Sequence, residues 1–144
     1  MADPNINKLL ESLRKNPTDL EIFKNLEQYC LFSSEWEKLS QVYSVRSQAI
    51  EKSSPEESAE LYFKQGECFE KRLANHVEAL ECYEKSYRLS PDKKEYFDSL
   101  ISISEGIENW EKVWEILLDK VSRVKVKSDK SSICVRMAVI YQEQ

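Results

Sequence analysis

Glycine is nearly missing from this sequence, with two residues in 144, and proline occurs four times. A chain of β-hairpins needs Gly or Asn-Gly at its tight turns, and no Asn-Gly pair occurs. Few turns are therefore expected to require a positive φ, and helices are favoured before any periodicity is read. With Gly66 and Gly106 alone, a glycine-rich phosphate loop is excluded. His76 is the single histidine. It falls in a turn between helical patterns, where an exposed residue is expected, and no Ser-His-Asp or Cys-His set forms around it.

Other absences narrow the class further. The four cysteines, Cys30, Cys68, Cys82 and Cys134, lie far apart without a Cys-x-x-Cys pair. Each falls in a helical pattern. Cys68 and Cys82 belong to the two helices of one hairpin, but their apolar neighbours point to buried free thiols in a reducing compartment. No apolar run approaches the ~18 residues of a membrane span. Met1-Ala-Asp-Pro-Asn has neither the basic start nor the apolar run of a secretory signal. A cytoplasmic location is expected. Net charge is −5, and the one basic cluster is Arg123-Val-Lys-Val-Lys with Lys130 nearby. Cations suit a helix end, whereas a duplex-binding face must be broadly basic. No nucleic-acid or membrane partner is expected. No carboxylate pair is marked for acid–base work. Catalytic residues, metal and cofactor are all expected to be none, and the chain is not expected to be an enzyme.

What is present is helical. Hydrophobic residues make up 41% and charged residues 33%, enough for a core beneath a charged surface and unlike a disordered chain. Capping-box pairs mark the helix starts: Thr18 with Glu21, Ser34 with Glu37, Ser54 with Glu57, Asn75 with Glu78, and Asp92 with Glu95. Pro55 follows Ser54 at the first helical position, where its missing amide is harmless. Between the starts, apolar residues keep helical spacing. Examples are Phe23, Leu26 and Cys30, then Leu39, Val42 and Tyr43, then Val77, Ala79, Leu80 and Tyr83. Farther on come Trp110, Val113, Trp114, Leu117 and Leu118. This predicts an all-α chain of about eight helices with short loops. Trp36, Trp110 and Trp114 are expected in the core rather than on a base-stacking platform.

The segment from Ala59 to Pro91 carries Gly66, Phe69, Ala79, Tyr83, Ser86 and a final Pro91. It resembles a tetratricopeptide repeat, with a small residue where paired helices approach and a small-aromatic-small face on the second helix. One extra residue lies near Ala74-Asn75. Two flanking segments are similar, and Ser34-Glu-Trp-Glu-Lys-Leu matches Glu108-Asn-Trp-Glu-Lys-Val. Glu27 and Ile101 replace the small residue there. The resemblance implies one array over 1–144: an N-terminal helix over 5–17, repeats over 20–53, 59–92 and 94–127, and an incomplete fourth repeat over 131–144. It also implies a right-handed superhelical solenoid of antiparallel helix pairs.

By the same resemblance the chain is a protein-interaction scaffold, part of a longer chain or assembly, that binds a protein or peptide through a concave groove. The implied lining includes Lys24, Gln28, Phe63, Glu67, Lys71, Glu95, Asp98 and Ser102, with Glu21 and Glu105 on the same faces. Lys24 and Lys64 match basic places of members that clamp a peptide carboxylate. Gln28, Glu95 and Ser99 depart from that pattern, so chaperone-tail binding is not expected. The run Glu67, Glu95, Asp98, Glu105 instead favours a partner with basic residues beside an apolar anchor that meets Phe63. Ile133, Val135, Met137, Ile140 and Tyr141 do not suit a polar terminal cap. They imply that the chain continues or that this helix self-associates. Alternative functions are an RNA-processing type of helical repeat, disfavoured by charge, and a regulatory segment of a larger multidomain enzyme.

Overall fold

The computed structural model describes residues 4–123 and 127–143. Eight α-helices and one π-turn account for them, and no strand occurs among the described residues. The helices are α1 (Pro4–Lys15), α2 (Leu20–Ser33), α3 (Trp36–Ile50), α4 (Pro55–Glu67), α5 (His76–Leu89), α6 (Lys94–Gly106), α7 (Trp110–Arg123) and α8 (Lys127–Glu143). The π-turn, Cys68–Arg72, continues directly from α4. The chain divides into two compact units, Met1–Leu100 and Ile101–Gln144.

One of the expected caps forms where its chemistry predicts: the Asn75 side chain accepts from the Glu78 amide at 3.2 Å. Pro55 opens α4 as expected, but the Ser54 side chain before it makes no cap bond. Others shift. α2 is capped by Asp19, which accepts from the amides of Glu21 and Ile22, in place of Thr18. Asp19 offers a charged acceptor to the positive end of the helix dipole. Ser34 does not cap α3 but closes α2 in a left-handed conformation, φ 58°, and Glu35 precedes α3 without a side-chain cap bond. α6 begins at Lys94, two residues past Asp92.

Within the first unit, α1 packs on α2 and α3, α2 on α3, α3 on α4, and α4 on α5. Ile6, Leu10, Leu13, Phe23, Leu26, Cys30, Leu39, Val42, Tyr43 and Ile50 form one buried cluster that reaches Leu61 and Cys68. Each apolar area withdrawn from water contributes about 25 cal/mol per Å². Small residues allow the closest approach. Ala59 and Ala79 are fully buried, and Ser86 Oγ donates to the Ala59 carbonyl at 2.8 Å across α4 and α5. Ser58 Oγ donates in the same way to the Ser47 carbonyl at 2.7 Å. A Cβ added at Gly66 would lie 2.6 Å from Tyr83 Cε1, so only glycine admits that ring.

Tyr43 and Tyr83 each stand seven residues into their helices. Tyr83 lies against Gly66 and donates its hydroxyl to Glu70 at 2.9 Å. Tyr43 instead donates to Glu27 at 2.8 Å. Each phenol thus has a carboxylate acceptor on the preceding helix or its π-turn, Glu27 for Tyr43 and Glu70 for Tyr83.

Three turns share a left-handed residue. Ser34, Ala74 and Glu108 have φ of 58°, 50° and 57°, and each stands two residues before a helix that opens with Trp36, His76 or Trp110. The Glu35 amide donates to the Cys30 carbonyl at 3.0 Å, and the Asn109 amide to the Ser104 carbonyl at 2.9 Å. These are helix-closing bonds usually built on glycine. The scarcity of glycine therefore did not exclude positive φ, because serine, alanine and glutamate fill the three positions. In the middle hairpin the Leu73 amide donates to the Cys68 carbonyl at 3.0 Å, a five-residue step. That π-turn absorbs the extra residue a few positions before Ala74-Asn75.

In the second unit, Val113, Ile116 and Leu117 of α7 and Met137 and Ile140 of α8 are buried. Asn109 caps α7 by accepting from the Lys112 amide at 3.1 Å. Arg136 of α8 pairs with Glu105 of α6 at 2.7 Å. α8 starts at Lys127 rather than near Ser131. Residues 124–126, in the basic cluster, lie outside the described residues. So does the side chain of Tyr141.

Several apolar residues expected inside are outside. Val77 and Leu118 are exposed, Trp114 is 36% exposed, and Trp36 and Trp110 are only partly buried. The apolar arc of α7 is wider than the face that its neighbours cover, so periodicity alone overstates its buried side.

Candidate functional site

Two open clefts flank α4. The first, of about 500 Å³, is lined by Glu27 and Leu31 of α2, Trp36, Leu39 and Tyr43 of α3, and Lys64 and Glu67 of α4. Cys68, Lys71 and Arg72 of the π-turn complete it. The second, of about 570 Å³, lies between Glu60, Phe63, Lys64 and Glu67 of α4 and Lys93, Lys94, Glu95 and Tyr96 at the start of α6. Helical spacing explains the shared wall: positions 60, 63, 64, 67 and 71 recur every three or four residues along one face.

Of the groove residues expected from sequence, Phe63, Glu67 and Glu95 line the second cleft, and Glu67 and Lys71 the first. Lys24, Gln28 and Asp98 are exposed on their helices and line neither cleft. Ser102 is exposed in the second unit. Glu105 is held by Arg136. The sequence reading passed over Leu31, Trp36, Arg72, Lys93 and Tyr96. For Leu31 the signal available was its place off the apolar stripe of Phe23, Leu26 and Cys30.

Phe63 is not a free anchor. Its ring is half-buried between Tyr83, 5.5 Å away, and Tyr96, 5.0 Å away, at tilted angles. Such pairs contribute about 0.5–1.5 kcal/mol beyond their burial. Burial raises the Tyr96 hydroxyl, with the nearby Glu60 and Glu95 carboxylates adding to it.

Charge in the clefts differs from an acidic wall. The second carries Lys64, Lys93 and Lys94 against Glu60, Glu67 and Glu95. The first carries Lys64, Lys71 and Arg72 against Glu27 and Glu67. Lys71 Nζ meets Glu67 Oε2 at 3.0 Å, and this hydrogen bond raises the lysine above its ordinary range. Lys64 stands 3.6 Å from Glu60, an exposed pair of small worth. The Arg72 guanidinium lies 4.6 Å from the centroid of the Trp36 ring, a cation–π contact. Lys93 and Arg72 come from a helix start and a π-turn, outside the helix faces that a sequence count of the groove includes.

The Cys68 thiol is pushed up to about 11, chiefly by burial and then by Glu67, with Arg72 opposing. It is protonated at neutral pH and is no nucleophile there. His76 is exposed at the first position of α5. Among the described residues no group of three or more His, Cys, Asp or Glu side chains is placed to hold a metal ion. No helix of the described residues is long and apolar enough to cross a membrane. No protein-family model matches the sequence, and no curated protein sequence matches it either.

Proposed function

We propose that this chain is a protein-interaction scaffold: a tetratricopeptide-like array of helix pairs whose first helices present a surface for a partner protein or peptide. The observation that carries this is the pair of adjacent open clefts sharing Lys64 and Glu67. Together they offer apolar floor and charged rim to an extended ligand, the mixture that peptide sites use. The left-handed residue that recurs two places before a helix, at Ser34, Ala74 and Glu108, supports the array reading. Packing of α1 through α5 on partners one or two steps along the chain supports it too. Glu95 and Asp98, exposed on α6, would receive a basic residue of the partner.

Affinity capture from the source cell tests the proposal. Lys64→Glu reverses a charge on the wall that both clefts share, at a side chain 42% exposed, so it leaves the fold intact. Glu81→Lys on the exposed face of α5 serves as control. A partner retained by the control and lost by Lys64→Glu is the expected result. A partner held equally by both variants, or no partner at all, would sink the reading.

A further inference from the structure

We infer that the first cleft takes an acidic side chain, carried on an apolar peptide segment of the partner, with Arg72 as the group that receives it; this rests on the scaffold reading. Three cations and two carboxylates line the cleft. Both carboxylates are already engaged inside the protein: Glu27 accepts from the Tyr43 hydroxyl at 2.8 Å, and Glu67 from Lys71 at 3.0 Å. Arg72 makes its contact with a ring and has no carboxylate within ion-pair distance among the described residues.

The ring contact suits Arg72 to a ligand. A guanidinium that meets an indole rather than a carboxylate keeps its planar fork of five N–H donors, which matches a carboxylate two bonds at a time. The Trp36 ring also fixes the side chain, so less freedom is lost when the bond forms. The π-turn is what brings Arg72 there. It inserts one residue between Glu67 and Arg72, and each residue turns a helix by roughly 100°. A regular continuation of α4 would direct the residue away from α3. In the same cleft, Leu31 is 48% exposed and supplies apolar contact for the segment flanking the acid.

The test uses fluorescein-labelled, end-blocked octapeptides in which two leucines flank a Glu, a Gln or a Lys in a Ser/Gly background. Binding to the full chain is followed by anisotropy. The Glu peptide should bind at least tenfold more tightly than the Gln or Lys peptide. Arg72→Gln should erase that preference. Arg72→Lys, which keeps the charge and loses the planar fork, should restore only a minor part of it. Equal binding of the three peptides, or a preference that survives Arg72→Gln, overturns the inference. So does binding of none of them. In each of these cases the scaffold reading still stands or falls by the Lys64→Glu capture.

Discussion

The ring of Tyr83 rests on Gly66 so closely that a single added methyl would meet Cε1 at 2.6 Å and Cδ1 at 2.7 Å. Tyr83 is almost fully buried and its hydroxyl is tied to Glu70, so the ring has little room to retreat. Gly66→Ala gains about 1 kcal/mol of helix propensity. It loses more to overpacking, which costs typically about 1–3 kcal/mol. A net lowering of the urea midpoint is expected. Adding Tyr83→Phe should not rescue the variant, because the clash is with ring carbons. An unchanged midpoint for Gly66→Ala would show that the helices separate freely.

The left-handed corners offer the opposite sign. Ser34, Ala74 and Glu108 each hold a Cβ where glycine is preferred. Replacing any one by glycine relieves about 1 kcal/mol of backbone strain, partly offset by the entropy of a freer unfolded chain. Each variant should melt higher or level, and Ala74→Gly, which removes no polar group, should show the gain most cleanly. A lowered melting temperature for Ala74→Gly would contradict the assigned φ.

Arg46 gives a third case. It is 6% exposed, its Nη2 reaches Glu57 at 3.2 Å, and its guanidinium lies 5.0 Å from the centroid of the Phe23 ring. Nε and Nη1 have no hydrogen-bond partner. A buried charge so incompletely met is poor value for stability. Arg46→Met, of similar length and no charge, should be neutral or stabilising by about 1 kcal/mol or more. Arg46→Ala should destabilise, since it also leaves a cavity. Matched chemical denaturation of the two variants decides this. Equal losses in both would mean that the charge itself holds α3.

Thiol titration gives a fourth. Burial is the leading cause that pushes Cys30 and Cys68 to about 11 and Cys82 to about 12. An unfolded thiol ionises near 8.5 or 9. Above that pH the unfolded chain has lost protons that the folded chain keeps, so stability falls as pH rises. The contribution is complete below about pH 8.5, set by the unfolded thiol, and is lost progressively as pH rises through 11 to 12. At pH 8 a thiol reagent should modify the exposed Cys134 at once and the other three only after denaturant is added. Rapid modification of more than one thiol in the native chain would refute their burial.

The helices were legible because their signals are local. Asn75, Pro55, and the spacing of Phe23, Leu26 and Cys30 each act within a turn or two of themselves. The close contact at Gly66 was legible because no residue but glycine tolerates a ring at that distance. What escaped was nonlocal or energetically small. The Ser34 cap failed because Cys30 competes for the same turn, closing α2 just where α3 should open. Trp114 and Leu118 belong to an apolar arc whose covered portion depends on neighbours that periodicity does not see. Glu67 and Lys71 of the first cleft were expected, but Arg72 was not, because the five-residue step of the π-turn leaves no mark in a count of helical positions. Phe63 was found, but as part of an aromatic stack rather than an open anchor.

The nearest-neighbour packing of α1 through α5 bears on how the protein is made. Contacts such as Ser58 with Ser47 and Tyr83 with Glu70 span fewer than fifteen residues, and even Ser86 with Ala59 spans only twenty-seven. No distant part of the chain has to arrive before an early helix finds its mate, so little loop entropy delays the first steps. Each hairpin can settle on the one before it as it emerges from the ribosome, and growth of the chain and growth of its core proceed together.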